Sequence, residues 1–107
     1  EFRRVLFRSK TEIIAGDICK TLPAYLKQNS HTLIALAYID VDIYKPTKSI
    51  LKNIMQRMPK GSILAFDELN DPLDKGETIA LLETCNINKL KISRNPFDSF
   101  PSYIEIQ

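Results

Sequence analysis

Two apolar stretches that end in carboxylates decide the fold: Leu33–Asp42, LIALAYIDVD, and Ser62–Glu68, SILAFDE. Leu33–Ile39 is apolar without alternation, which is typical of a strand buried on both faces of a parallel sheet. Ile63–Phe66 repeats this pattern in shorter form. Because ligands bind beyond the carboxyl ends of strands in open α/β sheets, we predict a functional site where the two stretches end.

Four acidic residues follow these predicted strands: Asp40, Asp42, Asp67 and Glu68. If the strands are neighbours, the carboxylates lie close together, and they cannot all stay ionised unless a cation is present or one is protonated. Hard oxygen ligands favour Mg²⁺ or a similar divalent ion. The alternative is that these acids only cap turns and helices. Spacing alone leaves both interpretations open.

The rest of the chain alternates between strand and helix patterns. Helical spacing of apolar residues follows Asp17, Pro46 and Gly76. Further strands are predicted at Thr11–Ala15, Lys89–Ser93 and Tyr103–Gln107, the last one antiparallel. The polar loop Asn70–Gly76 is long enough to cover a site. This order predicts an α/β fold with a largely parallel sheet and two closing strands.

For four apolar residues outside the strands we predict whether the side chain packs in the core. In the third predicted helix, Glu77–Cys85, Ile79 and Leu82 are candidates to face inward. Phe97 and Phe100 lie in the loop Asn95–Pro101, where they either pack in the core or line an acceptor pocket. We expect core packing.

Composition excludes several classes of protein. A chain of 107 residues fits one small domain, and 44% apolar with 26% charged residues indicates a globular protein. No apolar run could span a bilayer, and a net charge of +2 with scattered basic residues argues against nucleic acid. Cys19 and Cys85 match no metal or redox spacing, so we expect reduced thiols in a cytoplasmic protein.

Residues 1–9, EFRRVLFRS, do not resemble the start of a domain. This basic segment resembles a translated sequencing adapter or another non-native leader, and we exclude it from the fold. The alternative is a native basic segment cut from a longer protein. In both cases we expect the natural N-terminus to be missing and residues 10–107 to form part of a domain.

Five motifs connect the chain to a known family: GDICKTLP (16–23), YIDVDIYKPT (38–47), AFDEL (65–69), KGETIAL (75–81) and FPSY (100–103). In these motifs residues 11–107 resemble the C-terminal half of class I S-adenosylmethionine-dependent methyltransferases, in particular the macrocin/deoxyhexose O-methyltransferase family. The resemblance implies a Rossmann-like, doubly wound sheet with mixed or antiparallel closing strands. In the family's strand order, two strands absent from this chain separate Thr11–Ala15 from Leu33–Ile39, which predicts an exposed apolar edge.

The resemblance also implies site residues. An Asp ending the fourth strand and a polar pair ending the fifth bind the metal in that family, which matches Asp40, Asp67 and Glu68. Asp42 matches a second acid that faces the substrate or supports the metal ligands. The turn at Asp17 matches the position beside the adenine ring, so the Asp17 carboxylate would accept from the adenine amino group. The Ile18 backbone would donate to the ring.

Two parts of the family's cofactor site have no counterpart in this sequence. They are the glycine-rich loop after the first strand and the acidic residue that holds the ribose. No catalytic base is assigned, although Lys45 and Asn70 occupy nearby positions. We therefore expect the isolated chain neither to bind the cofactor well nor to turn over.

The leading hypothesis is an S-adenosylmethionine-dependent O-methyltransferase, assisted by Mg²⁺ or a similar divalent cation, that acts on a sugar or small polyol hydroxyl. One alternative is a methyltransferase whose acids are structural and which needs no metal. Another is an α/β binding domain without chemistry, because a fold does not fix a function. We expect no nucleic-acid or membrane partner, and the oligomeric state stays open.

Overall fold

A computed structural model describes residues 10–97 and 101–107. In this part of the chain the strands are β1 (Leu36–Ile39), β2 (Ile63–Phe66), β3 (Ile92–Arg94) and β4 (Ser102–Glu105). The α-helices are α1 (Ile18–Gln28), α2 (Tyr44–Ile54) and α3 (Gly76–Thr84). Short 3-10 helices follow α2 at Met55–Arg57 and α3 at Ile87–Lys89.

The strands form one mixed sheet in the order β1-β2-β4-β3. β1 and β2 are parallel, with Ile39 opposite Phe66, whereas β4 is antiparallel to both β2 and β3. The predicted α/β fold with antiparallel closing strands is confirmed. The strand predicted at Lys89–Ser93 begins only at Ile92, because a 3-10 turn takes up Ile87–Lys89.

The core lies between one face of the sheet and the helices. Leu64, Phe66 and Ile104 are each at most 1% exposed and pack in one cluster with apolar residues of α2 and α3. The helix and loop residues of that cluster are Ile50, Leu51, Ile54, Met58, Leu69, Ala80 and Leu81. Full burial of one such large side chain stabilises a fold by about 1.5–3 kcal/mol. This packing fixes α2 and α3 against β1 and β2.

The expectation of a central strand buried on both faces is wrong. Only Leu36–Ile39 of the apolar stretch forms a strand, and Leu36 and Tyr38 are 64% and 53% exposed, whereas Ile39 is buried. β1 lies at the edge of the sheet, and its residues alternate between the helix-covered face and an open face. The chain therefore has the exposed apolar edge that the family's strand order predicts.

The strand predicted at Thr11–Ala15 is also wrong. These residues are exposed and form no strand, and Ile13 and Ile14 show about half of their surface to solvent. A β-strand needs backbone partners in a sheet. In the described ranges the sheet ends at β1, and Thr11–Ala15 is not one of its strands.

Two predictions about side-chain packing fail. Ile79 and Leu82 are 42% and 53% exposed, because α3 turns Glu77, Ala80 and Leu81 inward instead. Phe97 does not pack in the core, since it is 96% exposed in a loop. Phe100 lies outside the described residues.

Two further expectations concern cysteines and membranes. Cys19 and Cys85 are both free and half-buried, as predicted for reduced thiols. Among the helices of residues 10–97 and 101–107, none has the length and apolar character needed to cross a membrane.

Replacing Leu36 by Lys should reduce concentration-dependent self-association of the chain. Leu36 lies on the open face of an edge strand, where an apolar side chain favours pairing between molecules and a charge opposes it. Sedimentation velocity across a range of protein concentrations measures the effect. The matched control is Leu64→Lys, which places the same charge on the buried face of β2 and should unfold the chain. Unchanged association of Leu36→Lys would contradict this assignment of the open face.

Candidate functional site

The carboxyl ends of β1 and β2 bring the predicted acids together. The Asp67 N–H donates to the Ile39 carbonyl at 3.0 Å, so the parallel pairing continues one residue past β2. Asp40 and Asp67 therefore leave the sheet at the same edge. On the open face, the Tyr38 hydroxyl donates to Asp67 Oδ1 at 2.7 Å. This bond orients the Asp67 carboxylate.

The acids form two groups that share Asp42. One oxygen from each of Asp40, Asp42 and Asp67 lies within 4.8 Å of the others. A second group with the same spacing contains Asp42, Glu68 and Asp74. Glu68, predicted beside Asp40 and Asp67, thus pairs with Asp42 and Asp74 instead. Asp74 was not predicted, because no periodic pattern reveals where the loop Asn70–Gly76 folds back.

Burial, hydrogen bonds between carboxyl groups and like charges together disfavour ionisation in both groups. Burial raises the pKa of Asp40, and the charge of Asp67, a hydrogen bond with Asp67 and the charge of Asp42 raise it further. A hydrogen bond with Asp74 raises the pKa of Glu68 to about 7, with smaller effects from burial and from the charges of Asp42, Asp74 and Asp71. A bound cation would relieve this repulsion. The donor set, carboxylate oxygens only, fits Mg²⁺ or a similar hard ion.

Asp42 occupies a strained turn. Its φ is +64°, in the left-handed region that residues other than glycine rarely adopt. The Ile43 N–H donates to the Val41 carbonyl at 2.7 Å and closes a three-residue turn centred on Asp42. Such strain costs about 1–3 kcal/mol and persists only where the surrounding structure holds it. The contacts around Asp42 therefore decide where its carboxylate lies.

The first turn of α3 supplies those contacts. Glu77 is fully buried, and its Oε2 accepts from the Asp42 N–H at 3.2 Å. Its Oε1 accepts from the Glu68 N–H, also at 3.2 Å. Burial raises the pKa of Glu77, and hydrogen bonds from the backbone of Glu68, Asp42 and Val41 oppose that rise. One side chain thus bridges the turns that follow β1 and β2.

The backbone of α3 packs closely against the same turns after β1 and β2. A Cβ on Gly76 would lie 2.5 Å from the Tyr44 nitrogen and 2.9 Å from the Asp42 carbonyl oxygen, so only glycine fits there without a shift. Thr78 Oγ1 accepts from the Asn70 N–H at 2.7 Å, and Asn70 also has a positive φ of +63°. Three successive residues of α3 therefore hold the loops that carry the acids.

Glu77 was missed as a functional residue, although the sequence contains a signal for it. Glu77, Ala80 and Leu81 share one helical face, and the last two are buried core residues. A carboxylate on the apolar face of a helix must find hydrogen-bond donors inside the protein. Its place on that face indicates a structural task at the acid-bearing strand ends.

Lys45 and Asn70, which were noted near the position of the family's catalytic base, lie in different surroundings. Lys45 is exposed in the first turn of α2. Asn70 contributes to an open cavity of about 260 Å³, which Asp71, Lys75, Thr78 and Ile79 also line. The cavity lies on the loop that carries Asp74.

The predicted cofactor residues begin α1. Asp17 is the N-cap, and its Oδ1 accepts from the Cys19 N–H at 3.0 Å. Gly16 precedes it with a φ of +126°. A carboxylate has lone pairs for several donors, so capping is compatible with a contact to an adenine amino group. The Ile18 N–H belongs to a first turn, whose amides have no acceptor within the helix.

We expect the raised pKa of Glu68 to make the metal-free chain less stable as pH rises. The usual pKa of 4.5 is raised to about 7, so between these values the folded chain binds more protons than the unfolded chain. The free energy of unfolding must then fall with pH in that window. Denaturant titrations from pH 4.5 to 7.5 with chelator present measure the slope.

In Glu68→Gln this contribution to the slope should disappear. Glu83→Gln is the matched control, since Tyr44 and Lys48 lower the pKa of that exposed carboxyl and it cannot produce the same slope. An identical pH dependence for wild type and Glu68→Gln would refute the assignment.

The solved structures that are similar to this chain include two structures of the methyltransferase CalS11. One is the apo structure of CalS11, described as a TDP-rhamnose 3'-O-methyltransferase of calicheamicin biosynthesis; it is 40% identical, with a TM-score of 0.85. The other is also 40% identical, with a TM-score of 0.86. No protein-family model matches the chain, and no curated protein sequence matches it.

Each match covers 89% of this chain but only 41% or 37% of the CalS11 chain. The chain thus spans about two fifths of the protein it matches. At 40% identity the likeness extends to sequence as well as fold, and it confirms the resemblance to methyltransferases predicted from the motifs.

Proposed function

We propose that this chain forms part of an S-adenosylmethionine-dependent O-methyltransferase that uses a divalent cation and methylates a sugar or small polyol hydroxyl. The observation that carries the proposal is the convergence of carboxylates at the ends of β1 and β2 in a chain 40% identical to a sugar methyltransferase. In parallel sheets this edge is where ligands bind.

The acceptor class is proposed from CalS11, whose described substrate is TDP-rhamnose. Sugar hydroxyls donate hydrogen bonds to carboxylates, and Asp40 and Asp42 are exposed at the edge of the sheet. Methyl transfer depends mainly on holding the acceptor oxygen in line with the methyl group. Carboxylates fixed at strand ends suit that positioning task.

The cation would be held by Asp40, Asp42 and Asp67, whose oxygens lie within 4.8 Å of one another. We assign Glu68 to the neighbouring group with Asp42 and Asp74. In that position Glu68 would affect the electrostatic environment of Asp42 without binding the cation. When bound, a divalent cation supplies Lewis acidity that lowers the pKa of a coordinated hydroxyl. Burial is the main cause of the raised pKa of Asp40, and a bound cation would offset the further contribution from the charges of Asp67 and Asp42.

The cofactor would meet this chain at Asp17 and Ile18, at the start of α1. The glycine-rich loop and the ribose-binding acid of class I methyltransferases have no counterpart in these 107 residues. We therefore propose that the chain by itself binds the cation but neither binds S-adenosylmethionine tightly nor turns over. These activities belong to a longer protein that includes it.

Calorimetric titration of the 107-residue chain with Mn²⁺ or Mg²⁺ tests the cation site. Saturable binding is expected for the wild type, with at least a tenfold loss in Asp40→Asn and Asp67→Asn, because each variant removes a charged ligand. Glu105→Gln is the matched control, since Glu105 is exposed and pairs with Ile63 at the opposite end of β2. Equal affinity in all four proteins would contradict the site.

The same variants in the complete protein separate the hypotheses. Chelator-sensitive methylation lost in Asp40→Asn and Asp67→Asn is the expected result. Cofactor binding and activity without any metal dependence would instead indicate that the acids are structural. Failure to bind either S-adenosylmethionine or metal would favour an α/β domain without this chemistry.

A further inference from the structure

Glu77 differs from the acids at the edge of the sheet, because none of its surface reaches solvent. It lies in the first turn of α3, and its carboxylate points away from solvent toward the ends of β1 and β2. A charged side chain in such a position is costly unless donors satisfy it. Two backbone amides, one after each strand, provide that compensation.

We propose that Glu77 is a positioning residue that sets the separation of the acidic ligands by tying the turn after β1 to the turn after β2. This inference rests on the proposed cation site and adds to it a residue that touches neither cation nor substrate. The two bonds join the backbone of Asp42, which lies in both acid groups, to that of Glu68.

The geometry explains why one side chain can have this effect. Asp42 has a positive φ, and the Ile43–Val41 bond alone does not fix the turn relative to β2. One oxygen of Glu77 accepts from the Asp42 N–H and the other from the Glu68 N–H, and the Val41 backbone adds a further bond on the β1 side. The carboxylate therefore acts as a spacer between the loops. Gly76 brings the backbone of α3 within contact of the same turn, which prevents the spacer from tilting away.

Glu77→Gln is the primary test, because it preserves shape but replaces one acceptor oxygen with a donor that cannot bind an N–H. Loss of groups that orient metal ligands typically weakens metal binding by about 10–100-fold. We expect that loss in Mn²⁺ affinity for the 107-residue chain, measured by the electron paramagnetic resonance signal of free Mn²⁺. Wild-type affinity in folded Glu77→Gln would overturn the inference.

Glu77→Asp separates position from charge. The Asp side chain keeps the negative charge but is shorter by one methylene group, so its carboxylate cannot reach both amides. Weakened Mn²⁺ binding in Glu77→Asp as well as in Glu77→Gln supports positioning. Wild-type affinity in Glu77→Asp with a loss in Glu77→Gln would show that only the charge acts, and would overturn the inference.

Ser62→Ala controls for general destabilisation. Ser62 is also buried, and its hydroxyl donates to the Pro59 carbonyl at the opposite end of β2 from the acids. Its loss should lower the melting temperature and leave Mn²⁺ affinity unchanged. If Ser62→Ala weakens Mn²⁺ binding as much as Glu77→Gln does, the effect is one of stability and the inference fails.

Amide hydrogen exchange distinguishes failure of this inference from failure of the cation site. In the metal-free chain, Glu77→Gln should accelerate exchange at the Asp42 and Glu68 amides, and Ser62→Ala should not. Faster exchange in a chain that binds no Mn²⁺ would refute the cation site and support the positioning role. Unchanged exchange at both amides would refute the positioning role, whatever the chain binds.

Discussion

A single buried carboxylate satisfies the backbone at both acid-bearing strand ends. The Asp42 and Glu68 amides each need an acceptor once α3 covers this edge of the sheet, and Glu77 provides one oxygen to each. The turn at Asp42, with its positive φ, is tied to the turn after β2 through this side chain. Strand pairing brings Asp40 and Asp67 together, and the buried Glu77 holds the backbone of Asp42 and Glu68 beside them.

The sheet presents the site but is covered on one face only. Ile39, Leu64, Phe66 and Ile104 pack in the core with α2 and α3. On the other face, Leu36, Tyr38 and Tyr103 each show roughly half of their surface to solvent. Tyr38 connects this open face to the site, since its hydroxyl bonds to Asp67. Whatever covers the open face in a longer protein would also influence the orientation of Asp67.

Much of the architecture could be predicted from local patterns. Apolar runs ending in acids predicted β1, β2 and the edge where Asp40, Asp42 and Asp67 meet. The extent to which each strand is buried could not be predicted. A run of apolar residues is compatible both with a central strand and with an uncovered edge strand such as Leu36–Ile39. The contacts of Asp74 and Glu77 depend on where a loop and a helix pack against the sheet. The spacing of apolar residues along the sequence does not reveal that position.

The most direct measurement is a crystal structure of the chain soaked with Mn²⁺, with anomalous scattering to locate the ion. We expect one anomalous peak within coordinating distance of Asp40, Asp42 and Asp67, whose oxygens already lie within 4.8 Å of one another. A peak between Asp42, Glu68 and Asp74 would contradict the assignment of the ligands. Absence of any peak at saturating Mn²⁺ would contradict the metal site itself.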